Sequence, residues 1–354
     1  MNNIQGADTK GGAKPVPGSD AQAPWNMPRA AWARVLKRVW VMIGFHELGL
    51  LSAGLAFYTF LALTPLIAAT VMVYGLVADV GMVRKQIASL VDVVPPDVAR
   101  LLEEQLLRII STNSGVTGLA LIIALVFAIY GGMRAAGGMV SALNIINEER
   151  ETRNLFALTM RTGGLTLAAI LLAITGGLSG VVFAWLQMQT TTFLGESTQF
   201  LFKWLTWAAA IALGSAGFAL IMRYGPDRRP AKWRWLIPGA LLATLLWLAV
   251  SFGFSLYVAY ISDYNATYGS LSAVVVFLMW LFLSAYGILL GALLNAEIER
   301  QTFCDTTAGP PRPAGERGAA LADVIDDNVP TIHQLDKRKR HRAHAERTRA
   351  DGSP

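Results

Sequence analysis

The sequence holds one cysteine, Cys304, and four histidines, His46, His333, His341 and His344. A lone thiol cannot close an intramolecular disulfide, and no histidine falls inside a long apolar run where a buried metal centre could assemble. Charge is scarce: 15% of the 354 residues are Asp, Glu, Lys or Arg, against about a quarter in an ordinary soluble domain. The sequence contains no P-loop, no HExxH, no GxSxG and no CxxC pair, so it offers no catalytic residue, no metal ligand and no cofactor motif. What it has in quantity is apolar side chains, 54% of the total, gathered into runs. About 20 apolar residues in a helix cross roughly 30 Å of hydrocarbon. The expected fold is therefore all-α, a polytopic membrane protein.

Six spans are predicted, at about 52–78, 116–143, 163–187, 200–222, 235–260 and 271–296, within a transmembrane domain of residues 51–298. Residues 1–28, rich in Gly, Pro, Asn and Ala, read as a disordered tail. Over 29–50, Trp32, Val35, Leu36, Val39, Trp40 and Ile43 recur at helical spacing while Arg34, Lys37 and Arg38 fill other positions. That pattern predicts an amphipathic helix on the membrane surface. Residues 97–111 alternate charged and apolar positions after Pro95 and Pro96, predicting a second amphipathic helix outside the bilayer. Residues 299–354 read as a disordered basic tail whose run Lys337–Arg342 could hold anionic lipid.

Net charge is +6, but its distribution points to topology rather than to nucleic acid. Arg29, Arg34, Lys37 and Arg38 precede the first span; Arg150, Arg153 and Arg161 follow the second; Arg223, Arg228, Arg229, Lys232 and Arg234 follow the fourth. The loops 189–199 and 261–270 contain no Lys or Arg. The positive-inside rule then places both termini in the cytoplasm, as an even number of crossings requires.

Polar groups and helix breaks within the spans are the candidate functional positions. Pro65 falls inside the first span and removes a backbone donor, with Thr64 beside it to satisfy the break. Arg134 lies toward the inner end of the second span, where it either snorkels or turns inward to meet an anion or Glu297. Asp263, Tyr264, Asn265 and Tyr268 form a polar and aromatic cluster at the outer junction of the last two spans, and Asn295 and Glu297 stand at the inner end of the sixth. Gly176 with Gly180, and Gly287 with Gly291, are GxxxG pairs that predict close helix packing.

Four blocks carry a resemblance to a known family: Gly54–Leu66 (GLAFYTFLALTPL), Ala142-Leu-Asn144 with Glu151-Thr-Arg153, Pro238–Thr244 (PGALLAT), and Tyr264–Leu271 leading to Asn295-Ala-Glu297. Together they resemble the YihY/virulence factor BrkB family over about residues 30–300. The resemblance implies a six-helix protein of the bacterial inner membrane and draws attention to Asn144. It also brings an old label, ribonuclease BN. Where family members commonly carry a glutamate, this chain has Leu293, and it keeps Glu297.

The function expected from these readings is non-enzymatic: a permease or lipid-handling protein, with a scaffold protein as the alternative and a ribonuclease third. Expected partners are the lipid bilayer, anionic lipid at the basic tail, and a second copy of the chain; nucleic acid is not among them.

Overall fold

The computed structural model describes residues 16–77, 117–193, 196–260 and 270–323. Apolar runs of this length leave the backbone one economical way to satisfy its N–H and C=O groups in hydrocarbon, and the chain takes it. The helices are α1 (Arg29–Phe45), α2 (Leu48–Val77), α3 (Thr117–Ile146), α4 (Leu155–Phe193), α5 (Glu196–Tyr224), α6 (Trp233–Tyr260), α7 (Ser270–Glu299) and the short α8 (Ala320–Asp323). Among the described residues the sole β pairing is an isolated antiparallel bridge between Ala231 and Thr307. Helices α3 to α7 each contain a stretch long and apolar enough to cross a bilayer. Helix α1 and the first part of α2, Leu48–Leu63, meet at a 63° bend and pass the same test as a pair.

At about 1.5 Å per residue, a 30-residue helix such as α3 or α7 is about 45 Å long and outruns the hydrocarbon by roughly 15 Å. The surplus gathers at one end. Buried side chains from α1, the C-termini of α3, α5 and α7, and the N-terminus of α6 form a single core there, including Leu143, Trp235, Leu289 and Ile298. Farther along, α3 and α4 present large apolar side chains such as Ile122, Phe127, Leu167 and Leu171 outward, as a lipid-facing surface does.

Small residues set the crossings. A Cβ on Gly131 of α3 would lie 2.8 Å from Ala62 Cα of α2, and one on Gly287 would lie 3.1 Å from Leu246 Cβ. Gly239 of α6 and Gly291 of α7 face each other's carbonyl oxygens with no room for a side chain on either. Hydroxyls inside the helices are satisfied locally: Thr59 donates to Leu55 O at 2.8 Å and Thr244 to Ala240 O at 2.9 Å.

Two readings of the sequence need correction. The terminal segments are ordered in part: Phe303 N–H donates to Ser19 O at 2.7 Å, Gln301 Nε2 to Pro17 O at 2.8 Å, and Thr302 Oγ1 to Ala21 O at 2.7 Å. Residues 16–27 and 300–323 thus clasp one another beneath the helices instead of forming loose tails; the remainder of both tails, with the Lys337–Arg342 run, lies outside the described residues. Helix α1 carries its buried side chains on one face, Ala31, Val35, Val39 and Met42, as the apolar spacing predicts, but Arg38, read with the polar residues, sits on that buried face with them. Leu36 and Trp40 are the exposed ones. The helix expected over 97–111 also lies outside the described residues.

Candidate functional site at the charged end of the bundle

Helix α7 ends in Asn295-Ala-Glu-Ile-Glu-Arg300, and the 100° step per residue distributes these polar groups. Asn295 and Glu299 share one face; Glu297 points the other way.

Glu297 meets α1. Arg38 Nε donates to its Oε2 at 2.8 Å, and Arg38 Nη2 donates to the Glu297 carbonyl at 2.8 Å, with both side chains 1% exposed. Arg300 Nη1 adds a contact to Glu297 Oε1 at 3.3 Å and to Glu148 Oε1 at 3.5 Å. Two cations and two carboxylates therefore neutralise one another. Glu148 reaches this position from the left-handed region, φ +55°, just past the end of α3, a conformation that costs a non-glycine residue about 1 kcal/mol or more.

Glu299 meets the loop between α5 and α6. Arg228 grips it with a two-pronged fork, Nη2 to Oε1 at 2.6 Å and Nη1 to Oε2 at 2.7 Å, and also donates to Asn147 Oδ1 at 3.0 Å. Thr306 of the clasp donates its hydroxyl to the same carboxylate. Burial disfavours the Arg228 cation, yet the adjacent Glu299 carboxylate outweighs this and holds its pKa above the usual value.

Asn295 mends a helix. Pro238 has no N–H, and next to it Gly239 N–H donates to Asn295 Oδ1 at 2.8 Å while Asn295 Nδ2 donates to Leu236 O at 3.0 Å. The amide thus bonds both ways to the first turns of α6, on either side of Pro238 and at the point where Gly239 and Gly291 touch.

Asn144 performs a similar service for the loops. Its Oδ1 accepts Asp227 N–H at 2.7 Å and its Nδ2 donates to Glu151 Oε2 at 2.9 Å. Arg153 forks onto Glu151 at 2.6 and 2.7 Å, and Thr152 donates both N–H and Oγ1–H to Asp227 Oδ2 at 2.7 Å. Burial raises the Asp227 pKa, but the Thr152 donors and Arg153 prevail and hold it below the usual carboxylate range. Glu149 shifts the other way: burial raises it more than the Ala320 N–H, at 2.7 Å, lowers it.

Of the positions singled out in the sequence, Asn144, Asn295 and Glu297 come together here. Arg134 does not. It is exposed on α3, donates Nε to Tyr130 Oη at 2.9 Å and lies 5.2 Å from that ring's centroid, so Glu297 takes its partners from Arg38 and Arg300 instead. Pro65 lies within α2, away from the site. The Thr64 side chain, Asp263, Tyr264, Asn265 and Tyr268 lie outside the described residues, as does the surroundings of Gly180. Nothing among the described residues lies within 4 Å of where a Cβ on Gly176 would stand, whereas Gly287 and Gly291 are closely packed. Residues the sequence reading missed are Arg38, Asn147, Asp227, Arg228 and Glu299. A usable signal existed for Arg228 and Glu299, a basic loop and an acidic helix end of opposite charge on the same predicted side. Among the described residues no group of three His, Cys, Asp or Glu is placed to hold a metal ion.

The Virulence factor BrkB family model matches residues 39–316. The chain belongs to that family. The matched stretch begins within α1, one residue after Arg38, and ends at Glu316, so it takes in the Arg228–Glu299 pair and Asn295 but neither Arg38, residues 16–27 of the clasp nor Ala320. Among similar proteins, a ribonuclease-like protein of Bacillus subtilis, YfkH, is 27% identical over 75% of this chain and 95% of its own length. A UPF0761 membrane protein of Rhodospirillum centenum is 28% identical over 90% of this chain and 67% of its own length. Another, of Paraburkholderia xenovorans, is 27% identical over 70% of this chain and 56% of its own length. The chain thus spans little more than half the length of some UPF0761 relatives. No solved structure matches it. A multi-pass membrane protein of this BrkB family is the common ground of the sequence, the fold and these relatives.

Proposed function

We propose that this BrkB-family protein is a non-enzymatic, six-span protein of the bacterial inner membrane, with both termini in the cytoplasm, that acts as a permease or lipid-handling protein. The observation that carries the reading is the way its polar residues are used. The carboxylates and guanidinium groups of Glu297, Glu299, Arg38 and Arg228 bind one another at the inner end of an apolar bundle. Groups so committed close a structure rather than attack a substrate. Two of the helices they close carry an internal proline, Pro65 in α2 and Pro238 in α6, each of which removes one backbone donor, and freed backbone groups of this kind line pathways in membrane permeases. The pathway in this reading runs between α2, α6 and α7, and the bent α1–α2 pair supplies the sixth span. Purified protein in liposomes should pass an ion, an osmolyte or a labelled lipid. Vesicles that remain tight to all three would contradict it.

A scaffold role is the second reading, favoured by the ordered clasp together with Trp25 and Trp40, 65% and 79% exposed at its edge. Deleting residues 1–28 and 301–354 separates the two: flux surviving the deletion favours the permease, and loss of phenotype with no flux to lose favours the scaffold. The Bacillus relative's name raises a ribonuclease as a third reading. RNA cleavage by purified protein with divalent metal, free of contaminating nuclease, would establish it.

A further inference from the structure

Between the α5–α6 loop and the last turns of α3 and α7 lies a cavity that leaves 20 Å³ to the centre of a water-sized sphere, enough for one small occupant. Six polar residues line it: Asn147, Arg223, Arg228, Trp235, Asn295 and Glu299. Four are already committed. Arg228 and Glu299 hold each other, Asn147 accepts from Arg228 and donates to Leu143 O at 2.8 Å, and Asn295 spans Gly239 and Leu236.

The remaining two are donors without acceptors. Trp235 is 2% exposed, and its indole Nε1–H has no hydrogen-bond partner. Arg223 Nε–H is likewise buried and unpartnered. The Arg223 guanidinium is fixed by its Nη1 bond to Ala231 O and by the faces of Trp233 and Tyr224, 4.7 and 5.4 Å away. Among the described residues no carboxylate pairs with it. Trp235 lies in the first turn of α6, a 28-residue helix beginning at Trp233, so the positive end of that helix dipole is also present.

Buried donors are almost always satisfied, and these two line the same small space. A cation is excluded by an unpaired guanidinium and a helix N-terminus. Water could accept both protons, but it would leave charge uncompensated, since two guanidinium groups, Arg223 and Arg228, line the cavity against the one carboxylate of Glu299. An anion needs only donors. We propose that the cavity is a binding site for a small monovalent inorganic anion of halide size, chloride in the cell, held by Trp235 Nε1–H and Arg223 Nε–H at the N-terminus of α6. Occupancy would tie α5 to α6 where Arg223 spans them. This stands independently of whether the protein conducts anything.

The full-length protein in detergent tests it by thermal unfolding in chloride or bromide against gluconate, an anion too large for the cavity, at matched ionic strength. The melting temperature should rise and saturate with halide in the wild type. In Arg223→Gln and in Trp235→Phe the halide midpoint should weaken about tenfold or more, the loss of one charge-assisted or buried hydrogen bond. Anomalous diffraction from bromide-soaked wild-type crystals should place a peak in the cavity, and this readout does not depend on either variant folding. Equal melting in halide and gluconate, a halide shift undiminished in both variants, or a cavity without bromide would each overturn the proposal.

Discussion

The charged end of the bundle and the apolar flank of α3 treat charge in opposite ways. At the charged end Arg38 and Glu297 are both 1% exposed and directly paired, in a core that also holds Arg228, Glu299 and Arg300. On α3, Arg134 is the one cation of its helix, exposed, bonded to a tyrosine of its own helix four residues away. The first arrangement is fixed by residues distant in sequence; the second is local. Burying ions costs several kcal/mol each, recovered only when partners and geometry are complete. The Arg38–Glu297 and Arg228–Glu299 pairs meet that condition, so these charges should matter to folding, while Arg134 should matter little.

The sharpest contrast comes from removing one partner at each place. Arg38→Ala should lower stability by about 3–5 kcal/mol, because Glu297 would remain buried and charged, whereas Arg134→Ala should change it by less than about 1 kcal/mol. Thermal unfolding in one detergent measures both. Replacing Arg38 and Glu297 together by Met and Leu should restore most of the loss, since a packed apolar pair avoids the desolvation cost. Comparable losses at Arg38 and Arg134 would break the comparison.

A smaller effect is expected from packing. Gly239→Ala drives a methyl group into the Gly291 carbonyl and the Asn295 amide and should cost about 1–3 kcal/mol, while Gly176→Ala, with open space around it, should be neutral or slightly stabilising. Asn295→Ala, which leaves the Gly239 N–H buried without an acceptor, should cost about 1–3 kcal/mol.

The helices were legible in the sequence because hydropathy over 20 residues is a sum, insensitive to any one contact. The predicted span at 271–296 and the helix Ser270–Glu299 differ by only a few residues, because the polar end at Asn295 to Glu299 still forms helix beyond the hydrocarbon. Arg38 was not legible. Beside Arg34 and Lys37 it looks like part of a polar face, and only the position of Glu297, 259 residues away, turns it inward. The clasp was hidden for the same reason: its order comes from backbone bonds such as Phe303 to Ser19, which leave no mark on composition. Asn144 and Asn295 stood out in motifs, but as pathway candidates, whereas the structure shows them bonding loops and the proline-containing first turns of α6.

The gentlest effects concern pH and distinguish two carboxylates of the loops. Asp227 is held below the usual carboxylate range, chiefly by Thr152 against burial. Its stabilisation is complete above the ordinary Asp value of about 3.9 and disappears as pH falls through the lowered one. Asp227→Asn should make unfolding less acid-sensitive. Glu149 has the opposite sign, since burial raises its pKa in the folded protein. Stability linked to it rises as pH falls through the raised value, and Glu149→Gln should flatten that rise while leaving neutral-pH melting unchanged or higher. Parallel melting curves from neutral pH down to below about 3.9, with and without these substitutions, check both signs.

The central claim is that the charge-rich end of the bundle, with its clasp, faces the cytoplasm while the apolar lengths of α3 to α7 lie in lipid. The single native cysteine, Cys304, is a partly exposed member of that clasp and serves as the probe. A membrane-impermeant maleimide should label Cys304 in inverted inner-membrane vesicles and leave it untouched in right-side-out vesicles until detergent is added. Labelling in right-side-out vesicles with no labelling in inverted ones would contradict the account.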